Sequence, residues 1–294
     1  MSRVSIDTPR AFTDTEADTE AEAPRAGEAS ARSRRLRKMA VSSSTISMAT
    51  VATLLLFWWL STGRGWIPPL FLPSPGDVLK QFWVVSTRGY MDATLGQHLW
   101  TSLQRILVAL AAATATGIPA GVLIGRSRIA RGVLDPLIEF YRPIPPLAYL
   151  PLIVIWFGIG EFAKVLLIYL AIFAPIAIST ANGVRNVDAA KVRAAQALGA
   201  TGRQLIRHVV LPHALPDILS GIRIGLGVGW STLVAAELVA ATRGLGFMVQ
   251  AASQYLATDV VLVGILVIAG IAIALELGLR ALQRRFVPWS GKGD

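Results

Sequence analysis

Few residues in this chain have types and spacings that could carry chemistry. There are no cysteines, which excludes disulfides and thiolate metal sites. The three histidines, His98, His208 and His213, lack the spacing of metal ligands, so we expect no metal site. The phosphate-loop pattern G-x4-G-K-[ST] is missing from the sequence. We therefore expect a protein that is not an enzyme, binds no cofactor and does not hydrolyse ATP itself.

Among the ionisable residues inside apolar runs, Arg223, Glu237 and Glu276 are singled out, since a charge at the bilayer centre costs about 2.5–3.5 kcal/mol. Arg223 and Glu276 are near enough to one surface to pair or to reach water, and we expect them to be structural. Glu237 lies near the far end of its run. It is either exposed at the interface or part of a polar lining or gate, and the sequence leaves both open.

A route for a small polar solute could use two groups of residues. Trp230, Ser231 and Thr232 stand near the middle of an apolar run. The proline-rich segment YRPIPPLAYLPL (141–152) predicts irregular backbone, which at membrane depth is tolerated only where protein or water covers it. A plain proline kink used for packing is the alternative. The candidate pathway residues are Tyr141, Arg142, Pro145, the pair Ala148 and Tyr149, Trp230, Ser231, Thr232 and Glu237.

The elements that must position these residues are membrane helices. The 294 residues are 53% hydrophobic and 16% charged, whereas soluble domains have about 25% charged residues. The net charge of +10 lies largely in short segments between apolar runs. That distribution sets membrane topology and argues against nucleic-acid binding. The composition predicts an all-α polytopic membrane protein.

Six apolar runs are long enough to cross a bilayer as helices, which satisfy their own backbone groups. The runs are about 44–60, 102–125, 144–158, 163–182, 218–240 and 259–279. Lys and Arg concentrate in four segments, 32–38, 126–131, 185–207 and 280–292. Because positive residues favour the cytoplasmic side, we expect these segments and both termini to be cytoplasmic.

The first hundred residues divide into three predicted parts. Residues 1–42 have almost no large apolar residues and should form a disordered cytoplasmic tail. The first transmembrane helix follows at 43–60, and we prefer it to a cleaved signal peptide because no small-x-small site follows it. Residues 61–101 should be a periplasmic segment with an amphipathic interfacial helix, whose apolar residues are Val78, Phe82, Trp83 and Val85.

The remaining chain should form the core at 102–285 and a cytoplasmic tail at 286–294. Two glycine ladders run through the core, Gly117, Gly121 and Gly125, and then Gly221, Gly225 and Gly229. Small residues at this spacing let helix backbones approach closely in lipid. Both ladders should therefore face the bundle interior or a subunit interface.

A polar segment at 184–216 interrupts the apolar runs and predicts helix, break, helix. Asp188 can cap a first helix to about Leu198, and Gly199 supplies a left-handed stop. Thr201 can cap a second short helix, which Pro212 should end. The small residues of the first helix suit docking into a groove of another protein. A helix lying on lipid is the alternative.

This segment resembles the EAA loop of ABC-importer permeases. The pattern A-A-x3-G-x9-hydrophobic-x-L-P is met by Ala194, Ala195, Gly199, Val209, Leu211 and Pro212. The glutamate that usually leads the pattern is Arg193 here, which puts the role of that glutamate in doubt. The blocks DPLIEFYRPIPPLAYLPLIVIWFGIGE, LLIYLAIFAPIAI and GLGVGWSTLVAAELVAATRGLGFMVQAA are similar to the nitrate, sulfonate and taurine permease group, and to its taurine permeases in particular. The similarity runs from about residue 57 to 289.

The resemblance implies the six-helix fold of type I (MetI-like) ABC importers. It implies an inner-membrane permease that moves taurine or a related sulfonate, with alkanesulfonate or nitrate as alternatives. The implied partners are a second permease copy, a separate ATPase subunit that binds ATP, and a periplasmic binding protein. The ATPase-coupling residues would be those of the EAA pattern together with Arg193.

Two other classes of membrane protein are alternatives to an ABC-importer permease. A secondary transporter would need no ATPase, but six spans without a second half and a docking loop argue against it. A membrane scaffold without transport activity is opposed by the broken third span and the glycine ladders.

Overall fold

The computed structural model describes residues 43–287, so the predicted tail at 1–42 and all but the start of the predicted tail at 286–294 lie outside the described residues. The described chain is helical, apart from an isolated bridge between Tyr90 and Ala93. The helices are α1 Ser43–Gly63, α2 Pro75–Thr87, α3 Leu95–Arg126, α4 Arg128–Tyr141, α5 Pro146–Phe157, α6 Glu161–Arg185, α7 Ala189–Ala197, α8 Gly202–Leu205, α9 Leu211–Ala240, α10 Leu245–Gln254 and α11 Thr258–Phe286. A π-helical turn, Ile206–Val210, joins α8 to α9. The prediction of an all-α protein is confirmed.

The chain separates into two compact units at Phe57 and Trp58, so that α1 begins in the first unit. Considered by itself, α1 is a regular helix whose large apolar side chains, such as Leu54 and Phe57, are exposed. An apolar helix without a polar face is suited to lipid.

Within residues 43–287, five helical segments are long and apolar enough to cross a membrane, and a bent pair makes a sixth crossing possible. The bent pair is α4 and α5, whose axes differ by 102°. The prediction of one span at 144–158 is therefore wrong in its extent, because α5 alone has only 12 residues. The irregular backbone predicted for the proline-rich segment is confirmed, because α4 ends at Tyr141 and α5 begins only at Pro146. Prolines at 143, 145 and 146 lack the N–H groups that a continuous helix would need there.

Helix α6 forms the centre of the larger unit, because α3 and α9 both pack along it. A β-carbon on Gly121 would lie 2.5 Å from the carbonyl oxygen of Ala177 on α6. A β-carbon on Gly229 would lie 2.5 Å from Ile172 Cγ1, also on α6. The prediction that the two glycine ladders face the interior is confirmed, since both lie against one helix.

The amphipathic helix predicted between the first two spans is α2, but its buried face differs from the prediction. Val78 and Val85 are buried, whereas Trp83 is 70% exposed and Phe82 44% exposed. The valines are seven residues apart, which places them on one face of a helix. Val85 packs with Leu95, Leu245 and Val260, so α2 is attached to the bundle by its valines and presents its aromatic rings outward.

Candidate functional site

The polar segment after α6 forms two short capped helices. Asp188 accepts a hydrogen bond from the backbone N–H of Ala190 at 2.8 Å and starts α7. Gly199 follows α7 with φ +81°, a left-handed conformation that side chains other than glycine rarely adopt. Thr201 and Gln204 form a reciprocal capping box at the start of α8. These features confirm the predicted caps and the predicted stop.

The prediction that Pro212 ends the second helix is wrong. The π-helical turn carries the chain directly from α8 into α9, and the N–H of Leu211 donates to the carbonyl of Ile206. A proline ring clashes with the carbonyl four residues earlier in a regular α-helix. The extra residue in the π turn moves that carbonyl aside, so Pro212 stands in the first turn of a long helix.

Helix α7 projects from the bundle, and none of its residues is buried. Leu198, directly after α7, is 89% exposed, and Arg193, Ala194 and Gly199 are also exposed. Ala195 is half-buried and packs towards a small core that includes Leu205 and Val210. Helix α7 and the residues that follow it to Gly199 thus form a ledge beside the bundle. Of the predicted coupling residues, Ala195, Val209 and Leu211 face the bundle, and Arg193, Ala194 and Gly199 face outward.

A groove of about 360 Å³ runs beneath α7. Arg126, Arg193 and Gln196 supply polar side chains at this groove, and Val192 and Leu205 contribute apolar ones. The position where the EAA pattern usually has a glutamate is thus positively charged and borders the groove. An incoming surface would meet two guanidinium groups, Arg126 and Arg193, at this position.

The candidate pathway residues do not lie together in this chain. Tyr141, Arg142 and Tyr149 line a cavity of about 250 Å³ between the α4–α5 break and the helices α6 and α9, while Pro145 and Ala148 are exposed nearby. Trp230 and Ser231 line another cavity, of about 240 Å³, between α9 and α11. Thr232 is buried and donates to the carbonyl of Val228 at 2.9 Å.

Glu237 belongs to a buried polar network at the opposite end of the bundle from α7. The residue is 1% exposed, so the alternative of interfacial exposure is wrong. Its carboxylate accepts from Arg105 Nη1 at 2.6 Å, from Ser102 Oγ at 2.8 Å and from the N–H of Gly246 at 2.9 Å. A β-carbon on Gly244 would overlap this carboxylate, so only glycine fits there.

The network continues from α3 to α6 through Arg105. Its guanidinium forms two hydrogen bonds with Glu161, Nε to Oε2 at 2.6 Å and Nη2 to Oε1 at 2.7 Å. Lys164 Nζ donates to the same carboxylate at 2.7 Å. The two cations and two carboxylates balance. Arg105, Lys164 and Glu237 are buried and each has a partner of opposite charge, as a low-dielectric environment requires, whereas the Glu161 side chain is 62% exposed.

Sequence reasoning missed Arg105 and Ser102, although the signal was present. Arg105 is an ionisable residue inside an apolar run, the same criterion that selected Glu237. Glu161 and Lys164 adjoin a predicted loop, and their pairing with Arg105 joins positions far apart in the chain. Arg223 Nε lies 4.0 Å from Glu276 Oε1 and both side chains are 38% exposed, which agrees with the expectation that these residues pair or reach water.

The sequence is similar to those of known transport proteins. Residues 117–288 match the family model of the binding-protein-dependent transport system inner membrane component. The chain is 62% identical to the taurine transport system permease protein TauC of Escherichia coli K12, over 84% of this chain and 90% of that protein. It is 37% identical to the putative aliphatic sulfonates transport permease protein SsuC of the same organism, over 79% and 87%.

The fold is similar to a solved structure of the MetNI methionine ABC transporter in an inward-facing conformation. The TM-score is 0.58 with 22% sequence identity, and the match covers 65% of this chain and 95% of that chain. At this identity the likeness shows the fold, which is that of type I importer permeases.

Proposed function

The chain belongs to the family of binding-protein-dependent transport system inner membrane components, and we propose that it is the permease subunit of an ATP-driven taurine importer. It is a multi-pass inner-membrane permease and is not itself an enzyme. The observation that carries the choice of taurine is the difference between 62% identity to TauC and 37% identity to SsuC. An alkanesulfonate or nitrate permease of the same group is the alternative.

The proposed partners follow from the ledge formed by α7 and its exposed end. A separate ATPase subunit binds ATP and receives α7, with Leu198 and Ala194 entering its surface and Arg193 meeting an acidic group there. Two permease copies assemble with two ATPase subunits and a periplasmic binding protein. This arrangement is supported by the exposure of α7 and by the predominance of Lys and Arg at that end of the bundle.

Transport would proceed by alternating access between two states of the bundle. ATP binding draws the ATPase subunits together and moves α7 as a lever. The π turn transmits that movement to α9 without a flexible joint, because the backbone from α8 to α9 is continuously helical. The bundle then opens to the binding protein and accepts the solute.

Uptake of labelled taurine tests this proposal. The chain is expressed with its ATPase and binding protein in a strain that lacks its own taurine and sulfonate permeases. We expect uptake that an ATPase-inactive variant abolishes and that excess taurine inhibits at lower concentration than ethanesulfonate or nitrate. Uptake that persists without a working ATPase would indicate a secondary transporter, and preferential inhibition by nitrate would assign the alternative substrate.

A further inference from the structure

The cavity between α9 and α11 is partly open and is lined by polar groups, and the side chains of Arg223 and Glu276 in it are each 38% exposed. Arg223 lies near the middle of α9, about 18 Å from Leu211 at a rise of about 1.5 Å per residue. Glu276 of α11 stands opposite, and Trp230 and Ser231 complete the polar lining. The volume of about 240 Å³ accommodates a small solute. Ionisable groups within membrane-spanning helices usually mark a substrate route.

The side chain of Trp230 lines this cavity, and its indole N–H is a covered donor without an acceptor in the described part of the chain. The residue is 7% exposed, and Nε1 has no hydrogen-bond acceptor within residues 43–287. A buried polar group left unpaired is unfavourable, and nearly all such groups have a partner in native structures. Because Nε1 is covered in this conformation, an anionic oxygen in the cavity would supply the missing acceptor once the ring turns towards it.

The charges around the cavity leave one cation in excess. Glu276 Oε1 accepts from Arg280 Nε at 2.8 Å, whereas Arg223 Nε is 4.0 Å from the same oxygen. The Arg223 guanidinium is therefore held loosely, and it keeps donors available for another acceptor. One carboxylate cannot neutralise two guanidinium groups, so an added anion is favoured.

We infer that this cavity is a transit site for a small zwitterion, with its anionic group at Arg223 and the Trp230 N–H and its ammonium group at Glu276. The inference rests on the proposed function and deepens it. A sulfonate provides three acceptor oxygens, enough for both donors, and the ammonium replaces part of the attraction between Glu276 and its arginines. The pairing of opposite charges a few ångströms apart matches taurine, and an alkanesulfonate lacks the ammonium that Glu276 would bind.

The test uses a cysteine reporter in the complete transporter. Because the chain has no cysteine, Ser231→Cys introduces its only thiol, at the cavity wall. The complex is placed in lipid nanodiscs and the rate at which a small maleimide labels this chain is measured. We expect taurine to slow the labelling at concentrations roughly tenfold lower than ethanesulfonate does, since a hydrogen-bonded charge contributes about a factor of ten or more.

Two conservative variants locate the binding groups within the reporter background. Trp230→Phe keeps the ring and removes the N–H, and Glu276→Gln keeps the size and removes the charge. Each should raise the half-protecting concentration of taurine roughly tenfold, and Glu276→Gln should also remove the preference for taurine over ethanesulfonate. Trp156→Phe, at an exposed ring in α5, serves as the matched control and should change neither value.

The outcomes separate this inference from the proposed function. If the wild type imports taurine while taurine gives no protection, or protects equally in all variants, the transit site is wrong and the function stands. If the wild type does not import taurine, both are wrong. The same labelling is repeated in phosphatidylcholine and in phosphatidylglycerol nanodiscs. Protection that depends on phosphatidylglycerol and not on taurine would assign the cavity to a lipid headgroup and overturn the inference.

Discussion

At the scale of single residues, Arg105 connects three helices by binding two carboxylates at once. Its side chain is 3% exposed, and that of its partner Glu237 is fully buried. Such a charge is stable in the interior because every partner is in place, and it becomes costly when one is removed. The network therefore fixes the start of α10, whose backbone N–H groups at Leu245 and Gly246 donate to Ser102 and Glu237.

Glu237→Gln tests the strength of this network. The substitution leaves Arg105 with one carboxylate, and loss of a buried partner costs about 3–5 kcal/mol. For a chain of this size we expect the melting temperature in detergent to fall by roughly 6–20 °C. The control Glu139→Gln removes an exposed carboxylate 3.6 Å from Arg142, an interaction that contributes at most about 1 kcal/mol. Equal melting temperatures for the two variants would contradict a stabilising network.

At the scale of elements, the bundle depends on how closely α3 and α9 approach α6. Lipid offers no hydrophobic drive between helices, so packing contacts and polar bonds hold them together. The glycines on α3 face Ile176, Thr180 and Val184, which occupy the space that larger residues would need. The broken pair α4 and α5 has no such ladder, and its bend follows from its prolines.

Gly121→Ala tests the close approach of α3 to α6. The added methyl would lie 2.5 Å from a backbone oxygen of α6, which cannot move as a flexible side chain can. Overpacking of this kind costs about 1–3 kcal/mol. We expect a lower melting temperature in detergent and less protein in the membrane. Gly132→Ala, where a β-carbon meets nothing within 4 Å, is the matched control and should be neutral or stabilising. A similar loss in both variants would refute the packing argument.

Gly199→Asp tests whether the turn after α7 positions the lever. With φ at +81°, aspartate is strained there even though no atom crowds it. We expect taurine uptake to fall at least tenfold while the protein remains in the membrane. Gly202→Asp places the same charge three residues on, at the first position of α8, where an acidic residue is favourable. The lever interpretation fails if both variants transport equally well.

At the scale of the whole molecule, the contacts fix which helix ends share a side. Arg105, Glu161 and Glu237 meet at one end of the larger unit. The other end contains Asp135, Arg185 and the ledge of α7, with Arg185 3.1 Å from Asp135. Since α6 runs from one group to the other, the pair α4 and α5 must return the chain across the same thickness. The two halves of the bent pair thus act as one crossing.

The assignment of these ends to the cytoplasm and periplasm is tested by cysteine labelling. Leu198→Cys and Ile159→Cys each place one thiol on this cysteine-free chain, at positions 89% and 78% exposed at opposite ends. A membrane-impermeant maleimide should label Ile159→Cys in intact spheroplasts and Leu198→Cys only in inverted vesicles. The reverse pattern would invert the proposed topology. In the assembled transporter, Leu198→Cys should also crosslink to the ATPase subunit, and Ile159→Cys should not.

The sequence by itself determined the membrane class, five of the six helical spans, the caps around α7 and the interior position of the glycine ladders. These features depend on composition and on the spacing of residues within one helix, and both can be read from neighbouring positions in the sequence. The tertiary structure decided the partners of Glu237, the division of the candidate pathway residues among separate sites, and the continuation of the helix past Pro212. Each of these depends on which distant residues meet: Arg105 and Glu237 are 132 positions apart. Spacing within one helix carries no information about such pairs, because packing around α6 brings them together.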